Sequence, residues 1–350
     1  MWFLTLILFI FILGIIVLVH EVGHFLWAKK FGVYIYEFSI GMGPVIYSKI
    51  GKKDGIKYNI RALPIGGFVA MAGEVYEDDK KIAKERFLCN KPIWQRIIVM
   101  AAGVINNFIL AIVILLFMSF IWGSNSLTPK VDSVLEGYPM AEAGIVKGDV
   151  ILAINNDKIS SWDEAQILLY YKNDKGYYDF TIKHEDGKID NYKITPKVEK
   201  NEDGIETRIF GVNINQEKTS GILKNIEFAF AKFWAIVSSM WLTIKGLILG
   251  KISVNALSGP VGIYNVVGES IAAGAYTVIF LIAYLSINVG VINILPFPAF
   301  DGGRILFLLI EKLKGSPVNQ KFENLCHTIG FVLLMLLILF ITIKDVINLF

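Results

Sequence analysis

Hydrophobic and polar positions divide this chain into long uncharged runs separated by charged stretches of mixed pattern. Residues 2–19, 97–122 and 271–300 carry no charged side chain, and the third run holds Asn288, Asn293, Pro296 and Pro298 toward its end. A fourth run, 328–343, reaches spanning length when carried back to Asn324 across His327. A hydrocarbon core about 30 Å thick needs roughly 20 apolar residues of helix, so these runs predict four transmembrane helices, placed at 1–27, 97–122, 271–301 and 324–344. A fifth stretch, 224–249, has a charge-free core of only 233–244. On a helical wheel Lys224, Glu227, Lys232, Ser238, Ser239 and Lys245 fall on one side, and Phe230, Phe233, Trp234, Ile236, Val237, Trp241 and Ile248 fall mostly elsewhere. That pattern predicts an amphipathic helix lying on the membrane, with the remainder of 223–270 a linker.

Outside these runs the period shortens. Residues 123–222 read as a separate small domain: alternating strands at Tyr178–Lys183 and Tyr192–Lys197, with turns at Asp186-Gly187 and Asp203-Gly204. Within it, small residues and Gly144 surround a helical turn, and Gly148-Asp149 leads into the apolar strand Val150–Ile154. In 33–73, Val33–Ile40 and Lys57–Arg61 read as strands, and Ile65–Gly73 is an apolar, glycine-rich run after Pro64 that is too short and broken to span. Two readings of that run stand: a β-hairpin dipping into the membrane, allowed only if its backbone is paired or buried in protein, or a loop bound at the surface. Glu77–Arg86 is a solvated charged segment, and Gly51–Gly55 a turn. The predicted fold class is therefore a polytopic α-helical membrane protein of four transmembrane helices, with an inserted small β-rich domain and a short membrane-associated β segment.

Composition supports the membrane. Of 350 residues, 54% are hydrophobic and 19% charged, against the roughly 45–50% and 25% of soluble domains. A net charge of +3 gives no ground for nucleic-acid binding. Charge also sets direction. Nothing basic precedes the first run, whereas Lys29 and Lys30 follow it, and 28–96 holds 13 Lys and Arg against 7 Asp and Glu. Basic residues favour the cytosolic side, so the N-terminus is expected outside, 28–96 inside, 123–270 outside, 302–323 inside and the C-terminus outside. The missing basic flank also argues against a cleaved signal peptide. Cys89 and Cys326 supply neither a disulfide framework nor a cysteine zinc motif.

The chemistry gathers at His20-Glu21-Val22-Gly23-His24, an H-E-x-x-H pattern at the end of the first hydrophobic helix. Residues i and i+4 of a helix lie one turn apart on nearly the same face, so two imidazoles there can both reach one Zn²⁺. Glu21 projects about 100° away, placed to take a proton from the attacking water. Three ionisable groups at the edge of a span are costly unless they pair or bind something. A catalytic zinc needs a third protein ligand. His184 falls in the small domain on the opposite side, and His327 in the last run. Asp301 is the better candidate: it follows a stretch whose prolines break the helix, and four spans put it at the same membrane level as the histidines. A fifth span at 224–249 would send it to the other side.

These features together resemble the bacterial site-2 proteases, intramembrane zinc metalloproteases that include the regulator of sigma-E protease. HEVGH (20–24) falls in the first span, a domain resembling a PDZ domain follows the second, and N-I-L-P-F-P-A-F-D-G (293–302) is similar to the family's N-x-x-P-x-P-x-L-D-G. Two departures are visible. Phe300 stands where Leu is usual, and A-A-G-V-I-N-N-F (101–108) carries Val104 where the family's A-G-P-x-x-N-F has Pro. The resemblance implies one catalytic Zn²⁺ held by His20, His24 and Asp301, with Glu21 as general base. It assigns Asn293 to substrate positioning, the alternative being a helix-capping amide. It also assigns the strand around Gly67, Phe68, Val69 and Ala70 to pairing with extended substrate.

The implied function is hydrolysis of peptide bonds within transmembrane segments of other membrane proteins, at the bacterial cytoplasmic membrane with the site toward the cytosol. Expected partners are the lipid bilayer and substrates such as a pre-trimmed anti-sigma factor or remnant signal peptides. Two rivals remain. A PDZ-type membrane scaffold with structural zinc has no use for the base Glu21. A metal transporter needs polar groups along a path through several spans, whereas here they gather at one level.

Overall fold

The computed structural model describes residues 2–52, 54–74, 81–200, 206–214, 218–219 and 221–347. The turn read at Asp203-Gly204 and residues 77–80 of the charged segment lie outside the described residues. The chain forms two units, one of residues up to Ile114 and from Leu257 onward, the other Leu115–Ala256.

The first helix, α1, runs Trp2–Lys30. Its buried positions, Thr5, Ile12, Ile16, His20, His24 and Ala28, recur four or seven residues apart, with Gly23 beside His24, and so form one stripe. The apolar part of the stripe thus hands over to the histidines without changing face. Two long strands follow, β1 (Ile35–Ile50) and β2 (Lys57–Met71). Each supplies two segments to one sheet. Residues 57–60 pair with 37–40 on one side and with 47–50 on the other, while 67–71 pair with 35–40 and form the far edge. The sequence reading had these strands stop at Ile40 and Arg61. They run on, and most of the glycine-rich run at 65–73 lies in β2 with its backbone paired to β1. The ladder satisfies the polar backbone that an isolated loop would leave open. The charged groups of this sheet are paired as well: Arg61 meets Glu37 at 2.6 Å and donates to Ser39 Oγ and to the Gly43 carbonyl, and Asn59 donates to Glu37. At the end of α1, Lys29 meets Asp54 at 2.8 Å and holds its carboxyl below the usual carboxylate range.

Helix α2 covers Ile93–Trp122. Ala28, Val33, Ile35, Phe38, Val69, Met71, Val99 and Met100 form one buried core, to which α1, both strands and α2 contribute.

The small unit holds the short helices α3 (Pro139–Glu142) and α4 (Trp162–Tyr170), strands at Val150–Ile154 and Tyr178–Lys183 as read, and α5 (Ile222–Ile248). The strand read at 192–197 is two strands, Ile189–Ile194 and Lys197–Lys200. Its sheet packs Tyr178, Phe180 and Ile182 against Leu168, Tyr171 and Phe210. The division read at 222/223 is revised, since α5 belongs to this unit. Lys232 pairs with Asp163 and Lys245 with Asp157, at 2.7 and 2.9 Å, so part of the polar face of α5 docks on the small domain. Ile226, Phe230, Trp234, Trp241 and Ile248 remain exposed and share an arc of about 80° on the wheel.

Four more helices complete the larger unit: α6 (Pro260–Ala273), α7 (Ala275–Ile294), α8 (Asp301–Lys314) and α9 (Gln320–Ile347). Helices α1, α2, α7 and α9 are long and apolar enough to cross a membrane; α5 does not qualify. Three readings are revised here. The third span is 275–294, not 271–301, because Gly274 interrupts the helix and Pro296 and Pro298 prevent its continuation. Asp301 therefore opens a new helix instead of ending the span. The linker read before 270 contains α6, whose Val267 packs with Ile12, Ile16 and Leu281. The segment read at 302–323 contains most of α8.

The N-terminus of α6 is capped from another helix. The Gly259 and Gly262 N–H groups donate to Asp345 Oδ2 at 2.7 and 3.0 Å. Removing a cap costs about 0.5–2 kcal/mol. Asp345→Ala is thus expected to lower the thermal transition of the detergent-solubilised protein, and an unchanged transition would show that the cap contributes nothing.

Candidate metal centre

Three donor atoms converge in the larger unit. His20 Nε2 and His24 Nε2 are 3.2 Å apart. Asp301 Oδ2 lies 3.0 Å from the first and 3.4 Å from the second. For bonds of 2.0–2.1 Å, the edge of a tetrahedron is about 3.3 Å, so the three separations are those of ligands sharing one ion. The histidines are buried. His24 Nδ1 is 2.8 Å from the Val99 carbonyl; a carbonyl only accepts, so Nδ1 carries the proton and Nε2 presents a lone pair. Asp301 Oδ2 is buried with no hydrogen-bond donor among the described residues. Lone pairs packed this closely fit a divalent cation, and two imidazoles with one carboxylate are a zinc donor set.

Each candidate ligand is placed by a nameable local cause. The histidines are one turn apart on the buried stripe of α1. The close approach of α1 and α2 depends on two glycines. A Cβ on Gly23 would meet the Ala102 carbonyl oxygen at 2.3 Å, and one on Gly103 would stand 2.5 Å from His24 Nε2 and 2.7 Å from His20 Nε2. Asp301 arrives through the loop after α7, where Ala299 takes φ +91°. The Ala299 N–H donates to His327 Nδ1 at 3.0 Å. His327, weighed above as a ligand, thus steadies the loop that carries the ligand. His184 lies in the small unit, 2.8 Å from Asp149. Arg304, one turn after Asp301, pairs with Glu74 at 2.7 Å and ties α8 to the segment just after β2. Arg96 and Glu311 tie α2 to α8 at 2.8 Å.

Glu21 leaves the helix toward the sheet. The Val69 N–H donates to its Oε2 at 3.1 Å. Donors alternate in direction along a strand, so Gly67 and Val69 point theirs away from β1, and Phe68 and Ala70 point theirs toward it. Of the four strand residues singled out in the sequence, two therefore present a donor on the open edge, beside Glu21. Asn293 sits in the last turn of α7, half-buried, with no hydrogen-bond partner for its amide among the described residues. The Leu295 N–H closes that turn on the Ile292 carbonyl, which leaves the capping alternative without support. The sequence missed three partners: the Val99 carbonyl, which leaves no signal there; Asn107, whose amide lies 3.4 Å from His20 Nδ1 and which showed only in the A-A-G-V-I-N-N-F stretch; and His327, weighed as a ligand and found as a partner of the loop.

A hydrolytic donor set and a neighbouring carboxylate, carried among helices of membrane-spanning length, are the arrangement of a membrane-embedded zinc metalloprotease. The chain belongs to Peptidase family M50, whose family model matches residues 8–337. It is similar to the regulator of sigma-W protease RasP of Bacillus subtilis, 33% identical, and to the zinc metalloprotease RasP of Bacillus licheniformis and of Shouchella clausii, each 32% identical. All three similarities cover 99% of this chain and 99% of the relative. The chain is thus a multi-pass membrane protein and an intramembrane zinc metalloprotease.

The two glycines give a direct test of the site's tight walls. Gly103→Ala puts a methyl group against the Nε2 atoms of both histidines and is expected to weaken zinc binding at least about tenfold, measured by competition with a chelator. Wild-type affinity in that variant would mean the ion sits elsewhere.

Proposed function

We propose that this chain cleaves peptide bonds inside transmembrane segments of other membrane proteins, with His20, His24 and Asp301 holding Zn²⁺, Glu21 as general base and the open edge of β2 receiving the unwound substrate. The observation that carries this is the Val69 N–H bond to Glu21: the base and the free edge of a sheet are within one hydrogen bond of each other. Zinc, when bound, polarises the scissile carbonyl and makes water nucleophilic near neutral pH. Glu21 Oε2 is steadied by Val69, which leaves Oε1 to take the proton from water and return it to the departing amide nitrogen. A transmembrane helix hides its carbonyls in its own hydrogen bonds. With the Val69 N–H engaged by Glu21, an extended segment laid along this edge regains backbone partners from the Gly67 N–H and the outward carbonyls of the strand. Asn293, half-buried and unpaired, is available to hold the substrate.

The substrates that fit are membrane proteins already trimmed outside, an anti-sigma factor first and remnant signal peptides second. The name of the Bacillus subtilis relative, regulator of sigma-W protease, supports the first. Basic residues after α1 support an outer N-terminus and a site toward the cytosol. The domain resembling PDZ then lies outside, where it controls access of bulky substrates. The exposed Ile40, Met42, Val45, Ile46 and Leu63 of the sheet favour the reading in which it dips into lipid over the surface-bound loop.

Glu21→Gln is expected to keep zinc and lose at least about 10²-fold in cleavage of a membrane substrate, whereas His20→Ala, His24→Ala and Asp301→Asn should weaken zinc binding itself. Near-wild-type turnover by Glu21→Gln would end the proposal. Sidedness has its own test. With Cys89 and Cys326 replaced by serine, a cysteine at Ser160 should react with an impermeant reagent in intact cells and one at Ser48 should not. Equal labelling of the two would overturn the orientation.

A further inference from the structure

His24 has a fixed outer partner in the Val99 carbonyl. The other histidine does not at first sight. His20 turns Nε2 toward the metal position, and its Nδ1 lies 3.4 Å from Asn107 Nδ2. Asn107 is fully buried on α2, its backbone carbonyl accepts from Ser286 Oγ at 2.9 Å, and its own Oδ1 has no hydrogen-bond partner among the described residues. With Nδ2 on that side the amide serves one tautomer of His20 only: an NH₂ donates, so Nδ1 must accept and the ring proton must sit on Nε2. That tautomer cannot ligate. A neutral imidazole bound through Nε2 carries its proton on Nδ1 and has to donate it. Facing an NH₂ it would find no acceptor, inside protein, where an unmet donor costs the desolvation of that group.

The amide resolves this by a half turn about its last bond. Oxygen and nitrogen of a carboxamide occupy nearly the same space, and Asn107 is the only side chain for which a contact with His20 Nδ1 is recorded among the described residues. After the turn, the presently orphaned Oδ1 faces Nδ1–H. We propose that Asn107 is a positioning residue for the zinc site, accepting the Nδ1 proton of His20 when metal is bound and donating to Nδ1 when it is not. This rests on His20 being a ligand. A carboxylate at 107 could serve the bound state alone, and an apolar side chain neither state. Asparagine is thus suited to a site that must be built before metal arrives, since it satisfies His20 in both conditions and keeps the ring aimed at His24 and Asp301. The two ligands then differ in kind: His24 is held by a carbonyl that permits one tautomer, and His20 by an amide that follows the metal.

The test uses the full chain in detergent micelles, with zinc affinity measured against a competing chelator and the visible bands of the cobalt-substituted protein as a second readout. Losing an outer partner of a metal ligand typically costs 10–100-fold in affinity, so Asn107→Leu and Asn107→Ala should each weaken zinc by about that factor and perturb the cobalt bands. Asn107→Asp keeps the acceptor and should bind zinc at least about as tightly as wild type. If Leu binds as tightly as wild type, or if Asp falls with Leu and Ala, the assignment is wrong; a loss in Ala alone, with the near-isosteric Leu and Asp spared, is what a mere packing role would give. Should the Leu variant fail to accumulate, the Ala and Asp variants decide by the same comparison. His20→Ala is measured alongside. Unchanged zinc affinity there would defeat the ligand reading itself, whereas a loss there with no effect of Asn107→Leu or Asn107→Ala would defeat this inference alone.

Discussion

Three electron-rich atoms held within 3.4 Å of one another and away from water repel each other unless a metal cation or a shared proton lies between them. That constraint organises the larger unit. A protein accepts such a cluster only when the surrounding packing leaves it no alternative, and here the packing is specific. Helix α1 places two donors by its own periodicity. Glycines at 23 and 103 bring α2 close enough to supply the Val99 carbonyl and Asn107. A proline-broken loop, fixed on His327, brings in the third donor at the start of α8.

The sheet is the other half of the arrangement. Its edge strand directs the Val69 N–H at Glu21, so the carboxylate proposed as general base is oriented by the surface proposed to receive substrate. Backbone donors at an open edge are ordinarily a liability. Beside Glu21 and a candidate metal position they are, in the function proposed, a place to lay a peptide that has left its helix. The Arg304–Glu74 pair then links the segment just after β2 to the helix that begins with Asp301, so the proposed substrate edge and the third candidate ligand are fastened to each other by charge.

Much of this was legible in the sequence because it depends on local spacing. H-E-x-x-H needs only the helical period, four uncharged runs need only length, and Pro296 and Pro298 mark the break before Asp301. The parts that were misread depend on tertiary partners. Helix α6 is short and contains Gly262 and Gly268, so its pattern is weak; it is held by a cap from Asp345, which lies far away in the sequence. The amphipathic pattern of α5 was recognised, but two of its lysines meet aspartates of the small unit, and a wheel cannot tell a polar face turned to water from one turned to ion pairs. The strands were stopped at Ile40 and Arg61 because the glycine-rich continuation has poor strand propensity; pairing with β1 overrides it. Val99 acts through its carbonyl, which no side-chain pattern can announce.

The most direct measurement of the central claim is X-ray absorption at the zinc edge of the purified full-length protein, which counts and identifies the donors without altering any of them. The expected result is one zinc per chain with two imidazole nitrogens and the rest oxygen, at about 2.0–2.2 Å. A sulfur shell near 2.3 Å, or three imidazoles, would contradict it, since the first would require Cys89 or Cys326 and the second His184 or His327 in place of Asp301.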